Sequence, residues 1–218
     1  MLDGKTSGPL VLVEGLDLAG KSTLVNFLQE ELCKYYNCVH YSKNSLVKEN
    51  SIARFADTER KKPEVPLSET CPLFIAAHLY DAHLFKYPAI GEIHLQDSSW
   101  MRTLAFNSVR ENNAYLPLLT ETLDAQPVFD LVIYLTASIG VRQKRVHQRE
   151  RAEKGENDHS DYLVHTDPEL FKRNDDALRI VAEKYCASVE VIDTSHLSPV
   201  EVRVMALSLF QKHCLVPT

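Results

Sequence analysis

The chain has 218 residues, of which 44% are hydrophobic and 25% are charged, and its formal net charge is -6. This length suits one domain spanning residues 1–218. The acidic balance gives no overall electrostatic case for nucleic acid or an anionic membrane as a partner. The five cysteines contain no CxxC pair, and no apolar run is long enough for a secretory signal or a membrane span. We therefore expect a cytoplasmic domain with free thiols.

Apolar runs alternate along the chain with segments of helical periodicity. The runs that predict strands are residues 10–14, 38–42, 93–97, 131–135 and 189–192. The segments that predict helices are residues 20–35, 71–90, 100–123, 138–154, 168–185 and 198–213. Residues 44–70 are polar and contain two prolines, so we expect a loop there with one short helix. The alternation indicates an α/β fold with a central parallel sheet of about five strands and helices on both faces.

The segment GLDLAGKS at residues 15–22 matches the phosphate-loop pattern GxxxxGK[ST] in full, after a strand and at the start of a helix. Backbone N–H groups and the helix N-terminus of such a loop form an anion site. Lys21 would reach the β- and γ-phosphates, and the Ser22 hydroxyl would bind Mg²⁺. The residues expected to bind the nucleotide here are Gly15, Leu16, Asp17, Leu18, Ala19, Gly20, Lys21, Ser22 and Thr23. The fold class is therefore a P-loop three-layer sandwich.

Asp97 ends the third predicted strand. A carboxylate at this position can reach the Mg²⁺ region at the carboxyl edge of the sheet. It could also cap a helix that begins at Ser98 or Ser99. Both roles can hold together, and we favour the metal-proximal one.

A run of basic residues follows the fourth predicted strand: Arg142, Lys144, Arg145, Arg149 and Arg151. Such a run is usually a solvated helix face. In an acidic chain with a phosphate loop, it also fits a lid whose arginines neutralise the transferring phosphoryl group. We expect a small lid at about 145–167, with the polar residues 155–167 as its mobile part. Arg149 and Arg151 are expected at the phosphates, and Arg145 near the adenine.

Several segments resemble thymidylate kinases. VEGLDLAGKST resembles the phosphate loop of that family, in which an acid follows the first glycine by two residues. The segments PLFIAAHLYDAH, QDSS, DLVIYLTASIGVRQKRVHQR and VIDTS resemble, in order, the family's LLFxAxR segment, DR[YH] motif, ALxRIxxR helix and VIDAS loop. The chain thus resembles a divergent member over most of its length. The resemblance implies ATP and Mg²⁺ as ligands, a nucleotide acceptor such as dTMP, and a homodimer.

The resemblance also implies roles for individual residues. Asp17 would lie near the 3′-hydroxyl of the acceptor, and Phe74 would stack on its base. Asp97 would lie near Mg²⁺ and the acceptor phosphate. The residues implied beside the adenine of ATP are Asp193, Thr194 and Ser195.

Three positions depart from the family pattern. The family has a base-reading arginine where this chain has His78, and an arginine that grips the acceptor phosphate where this chain has Ser98. Some members carry an arginine at the position of Leu18. A hydroxyl or an imidazole does not replace a bidentate guanidinium without loss of charge or fork geometry. Arg102 could restore a cation if its segment is helical, and His78 could be an ordinary polar contact.

Three functions remain open on this basis. The first is transfer of the γ-phosphoryl group of ATP to a nucleoside monophosphate, which needs no general base. The second is a related kinase whose acceptor is another nucleotide, a nucleoside hydroxyl or a small metabolite; a hydroxyl would use Glu14, Asp17 or Asp97 as base. The third is a nucleotide-binding regulator without turnover, against which the retained Lys21 and Ser22 argue.

Overall fold

The computed structural model describes residues 6–62, 67–110, 114–151 and 159–217. Its centre is a five-stranded sheet in the order β2-β3-β1-β4-β5, and every neighbouring pair is parallel. The strands are β1 (Leu10–Glu14), β2 (Cys38–Lys43), β3 (Glu92–Asp97), β4 (Leu131–Thr136) and β5 (Val189–Asp193). The predicted parallel sheet is confirmed.

Helices connect the strands and cover both faces of the sheet. They are α1 (Lys21–Leu32), α2 (Ser51–Arg60), α3 (Leu67–Leu84), α4 (Met101–Val109), α5 (Leu116–Glu121), α6 (Ile139–Arg151), α7 (His159–Thr166), α8 (Pro168–Tyr185) and α9 (Pro199–Lys212). Within the described residues, no helix is long and apolar enough to cross a membrane.

The one short helix expected within residues 44–70 is present as α2, but the start of a second helix there was not expected. A full helix, α2, begins there after Asn50, whose side chain caps it by accepting a hydrogen bond from Ala53 N at 2.9 Å. Helix α3 begins at Leu67, earlier than expected, and contains Pro72, which removes one backbone donor from the helix. The polar residues 68–70 and the proline at position 72 concealed the early start of α3.

The predicted mobile segment at residues 155–167 needs a similar correction. Residues 152–158 lie outside the described part of the chain, but α7 occupies His159–Thr166. Val164 is fully buried in the core, and the Gln143 side chain donates to its carbonyl at 3.0 Å. One buried side chain was too weak a periodic signal to predict this short helix.

Alternate residues of β1 divide the core in two. Leu10 and Leu12 face a cluster formed with α3, α4, α6 and α8, whereas Val11 and Val13 face a cluster formed with α1 and α9. This is the three-layer arrangement that the sequence predicts. Because all strands run in the same direction, their carboxyl ends meet at one edge of the sheet, and the loops that follow them converge there.

Candidate functional site

The phosphate loop turns sharply after β1, and its glycine is required there. Gly15 has φ of +128°, and a Cβ at this position would lie 2.0 Å from the carbonyl oxygen of Leu135. Any other residue would therefore push the loop away from β4. Leu18 also adopts a left-handed conformation, with φ of +66°. The loop is thus closely packed against the neighbouring strand.

Successive carbonyl groups of the loop are bound by side chains, one from the loop itself and the others from elsewhere in the fold. The donor and acceptor pairs are Arg102 to Gly15, Lys21 Nζ to Leu16 at 3.2 Å, Arg142 Nη1 to Asp17 at 2.6 Å, Arg145 Nη1 to Leu18 at 2.7 Å, and Thr194 Oγ1 to Ala19 at 3.0 Å. A trans peptide unit is planar, so its carbonyl and the following N–H point in opposite directions. Because these carbonyls point toward the side chains, the N–H groups of the following residues point the other way and can bind an anion.

Lys21 lies on the loop itself. Its Nζ is 3.6 Å from Asp17 Oδ1, and the residue is only 8% exposed. Burial, with the nearby charge of Arg102, lowers the pKa of Lys21 to about 8. Ser22 and Thr23, by contrast, are exposed at the start of α1. A bound phosphate would give Lys21 a stronger partner than the Leu16 carbonyl.

Glu14 and Arg102 form a buried ion pair beneath the loop. Glu14 is 0% exposed and accepts hydrogen bonds from Gly15 N at 3.0 Å, Ser99 N at 2.9 Å and Arg102 Nε at 2.9 Å. Arg102 Nη1 also lies 3.9 Å from Asp17 Oδ1. The segment that carries Arg102 is helical, but its guanidinium is engaged by Glu14 and the Gly15 carbonyl, so its role at the acceptor stays a prediction. Glu14, with its oxygens engaged, is unsuited to serve as a general base.

Asp97 and Ser98 lie at the end of β3. Asp97 is opposite Val13 of β1 on one side and Lys43 of β2 on the other. Ser98 has φ of +66°, and its hydroxyl donates to Asp97 Oδ1 at 3.0 Å. Helix α4 begins after Trp100 without a side-chain cap, so the alternative role of Asp97 as a helix cap is wrong. The Asp97 carboxylate lies at the carboxyl edge of the sheet, and its role near Mg²⁺ stays a prediction.

Phe74 and His78 lie one turn apart on α3, with ring centroids 6.5 Å apart. Phe74 is half-buried, whereas His78 is 7% exposed and lies 2.9 Å, Nε2 to Oγ1, from Thr103 of α4. Burial lowers the pKa of His78 to about 4, so the imidazole is neutral at neutral pH. His78 therefore supplies no charge where the family pattern has an arginine.

The arginines of the predicted lid lie in different surroundings. Arg145 and Arg149 line a cavity of about 260 Å³ beside the loop, together with Leu18, Gly20, Thr23 and Thr194. The Arg145 guanidinium also contacts Thr194, with Nη2 2.9 Å from its carbonyl. The side chain of Arg151 and the central part of the lid, residues 152–158, lie outside the described residues. Their expected roles stay predictions.

The loop after β5 forms the opposite wall of the same cavity. The Thr194 hydroxyl donates to the Ala19 carbonyl, and the residue lines the cavity. Asp193 accepts hydrogen bonds from Ser195 N at 2.9 Å and Ser195 Oγ at 2.5 Å. Ser195 Oγ in turn accepts from Ser138 N at 2.8 Å. The structure thus brings Thr194 to the phosphate loop and uses Asp193 and Ser195 mainly to shape the turn.

Sequence reasoning missed a second cleft on the other side of Asp97. It is lined by the end of β2, the following loop and α2, and it includes Lys43, Lys48 and Arg54. Asp81 of α3 holds this loop: its carboxylate accepts from Ser45 Oγ at 2.7 Å, Leu46 N at 2.8 Å and Asn50 Nδ2 at 2.7 Å. The position of Lys43 at the carboxyl end of a parallel strand was the signal that could have identified it.

The fold of this chain is similar to folds seen in solved structures. No protein-family model matches the chain, and no curated protein matches its sequence. The structure of thymidylate kinase from Candida albicans is similar, with a TM-score of 0.69 and 16% identity over 95% of this chain and 93% of that one. Thymidylate kinase from Ehrlichia chaffeensis is similar too, with a TM-score of 0.61 and 15% identity over 94% of this chain and all of the other. The chain therefore has the P-loop α/β fold of thymidylate kinases, at a low sequence identity.

Proposed function

We propose that this chain is an ATP-dependent kinase that transfers the γ-phosphoryl group to the phosphate of a nucleoside monophosphate. The observation that carries the proposal is the phosphate loop, whose carbonyls are bound by Arg102, Arg142 and Arg145. Such a loop offers N–H groups and positive charge to a triphosphate. The likeness of fold to thymidylate kinases, over nearly the whole of both chains, agrees with this assignment.

Donor binding would use the loop and the cavity beside it. The triphosphate would lie against the loop N–H groups and Lys21, and the base would enter the cavity lined by Leu18, Thr194 and Arg145. Arg149 lines the same cavity and could reach the phosphates from the lid helix α6. Closing of a lid over the site would exclude water from the transfer step.

The residues for Mg²⁺ are oxygen donors, as this ion requires. Ser22 is exposed at the start of α1, and the Asp97 carboxylate lies at the same sheet edge, one strand from the loop. Within the described residues, no group of three or more acidic, histidine or cysteine side chains is placed to hold a metal ion. One or two protein oxygens plus substrate phosphates suit Mg²⁺, which would supply positive charge to the phosphates when bound.

Acceptor binding would take place on the other side of Asp97. Position 98 has no cation, but Lys43 lies beside Asp97 in the sheet and Arg102 lies at the loop. Because Arg102 is already paired with Glu14, Lys43 and Lys48 in the second cleft are the better placed cations for an acceptor that carries a phosphate. The half-buried Phe74 could contact its base. Because an acceptor phosphate oxygen is already ionised, the reaction needs no general base, in keeping with the engagement of Glu14 by Arg102.

A second candidate is a kinase whose acceptor carries no phosphate. The neutral, buried His78 and the hydroxyl of Ser98 favour it, since neither residue can replace the guanidinium that reads or grips a nucleotide. Asp97 would then be the base for an acceptor hydroxyl.

The test is ATP consumption with Mg²⁺ against a panel of nucleoside monophosphates, nucleosides and no acceptor. The expected result is turnover that depends on a monophosphate such as dTMP or dUMP, with the diphosphate as product. Lys43→Met should then raise the KM for the acceptor by about tenfold, as expected for one lost charged hydrogen bond, without changing the KM for ATP. Turnover with nucleosides alone would support the second candidate. ATP binding without any turnover would contradict both.

A further inference from the structure

Arg142 is a buried cation in the lid helix α6, and the proposed reaction assigns it no contact with substrate. It is 0% exposed, and its guanidinium donates to Asp17 O at 2.6 Å, Ala137 O at 2.8 Å and Asp175 Oδ2 at 3.0 Å. Removing a guanidinium from water is costly unless its charge and its donors are satisfied. The cost is met here by partners from three parts of the fold, so the position of this side chain is closely defined.

The Asp17 carbonyl belongs to the peptide unit that leads into Leu18. Leu18 has a left-handed backbone conformation, which is unfavourable for a residue with a branched side chain. The peptide therefore needs restraint from its surroundings. Because the carbonyl and the next N–H are antiparallel in a trans peptide, the hydrogen bond from Arg142 also determines the direction of the Leu18 N–H.

Asp175 of α8 holds the guanidinium in this orientation. Its carboxylate also accepts from Tyr134 Oη at 2.7 Å and from Thr136 Oγ1 at 3.1 Å, both on β4. The ring of Phe171 packs against the guanidinium, with Cζ of Arg142 5.0 Å from the ring centroid. Arg142 thus cannot turn toward the cavity without breaking contacts on several sides at once.

We propose that Arg142 is a positioning residue for the triphosphate. It holds the peptide between Asp17 and Leu18 so that the Leu18 N–H faces the phosphates, while Arg142 itself stays buried behind the loop. Arg145 binds the carbonyl of Leu18 in the same way. Unlike Arg142, it also lines the cavity beside the loop. The identity of the ligand rests on the proposed function, but the positioning role concerns any polyphosphate bound by the loop.

The test compares two variants that differ only at Arg142. Asp175→Asn removes the charge partner but keeps Arg142, whereas Arg142→Met with Asp175→Asn removes the ion pair as a whole and leaves no unpaired buried charge. Calorimetric titration with inorganic tripolyphosphate and Mg²⁺ measures loop binding without a base. We expect the double variant to bind about tenfold more weakly than Asp175→Asn, and to lose ATP affinity by the same factor. Arg173→Met is the control, because that exposed arginine also donates to a carbonyl, Val109 O at 2.8 Å, far from the loop.

Equal affinities in the two Asp175→Asn proteins would overturn the proposal, as would a loss of thermal stability without a loss of affinity. If the double variant does not fold, Arg142→Lys takes its place, since one ammonium cannot reach both Asp175 and the Asp17 carbonyl in place of a fork. The same weakening is expected, and unchanged binding would contradict the role. A protein that binds tripolyphosphate but transfers no phosphoryl group would refute the proposed function and leave the role of Arg142 standing.

Discussion

The proposed donor side of the candidate site is formed mainly by backbone, whereas the proposed acceptor side is formed by side chains. On the donor side, the backbone of residues 15–19 is held by side chains from α1, α4, α6 and the end of β5. On the acceptor side, the contacts available are side chains of the β2–α2 connection, α3 and the end of β3. A backbone site needs glycines at fixed spacing, whereas a side-chain site can change residue by residue. Two of the three departures from the pattern that the chain resembles, His78 and Ser98, fall on the proposed acceptor side.

Removal of the Lys21 ammonium should have the largest effect and should act on the donor side. Lys21→Ala is expected to lower kcat by about a hundred- to thousandfold, because one preorganised positive group at the transferring phosphate is lost. The fold should remain, since the Lys21 ammonium donates to a loop carbonyl and lies beside Asp17 of the same loop. Steady-state kinetics and a melting curve measure the two effects. Full activity of this variant would refute the phosphate-loop assignment.

A change at Asp81 should separate the two sides. Asp81→Asn weakens the hydrogen bonds that organise the loop that follows Lys43 and carries Lys48, at a cost of about 1–3 kcal/mol in the free energy of unfolding. The KM for the acceptor should rise several-fold while the KM for ATP stays constant. Asp176→Asn, an exposed change on α8, is the matched control. Equal changes in both KM values would mean that the loop does not serve the acceptor alone.

The pH dependence of anion binding tests the environment of Lys21. Its folded-state pKa of about 8 lies below the ordinary value of 10.5, so the ammonium loses its proton as the pH rises through 8. Affinity for tripolyphosphate should therefore be constant below that pH and fall by up to about tenfold per pH unit above it. Titrations at pH 7, 8 and 9 measure this slope. The slope should vanish in Lys21→Met, and its persistence there would assign it to another group.

The smallest effect is expected at His78 on the acceptor side. His78→Gln keeps a polar, uncharged side chain beside Thr103, so the KM for the acceptor should change by less than about threefold. Because burial lowers the pKa of His78 to about 4, the protein should also show no activity step from this residue between pH 6 and 8. A large loss of activity would instead indicate that the imidazole reads the acceptor directly.

The sequence alone determined the parallel sheet, the phosphate loop and the position of Asp97, because each depends on a local pattern. Apolar runs define buried strands, and Gly15 and Lys21 occur at fixed spacing around one strand end. The strand–loop–helix form of this segment could be predicted for the same reason, whereas binding of a nucleotide by its residues stays a prediction.

Only the tertiary structure decided which side chains surround the phosphate loop and the end of β3. It paired Glu14 with Arg102, placed Arg142 behind the loop, left His78 neutral and brought Lys43 beside Asp97. These contacts join residues that are far apart in the sequence, and burial changes the pKa of the side chains involved. No local pattern carries that information, because it arises only when α3, α4, α6 and β2 meet at one edge of the sheet.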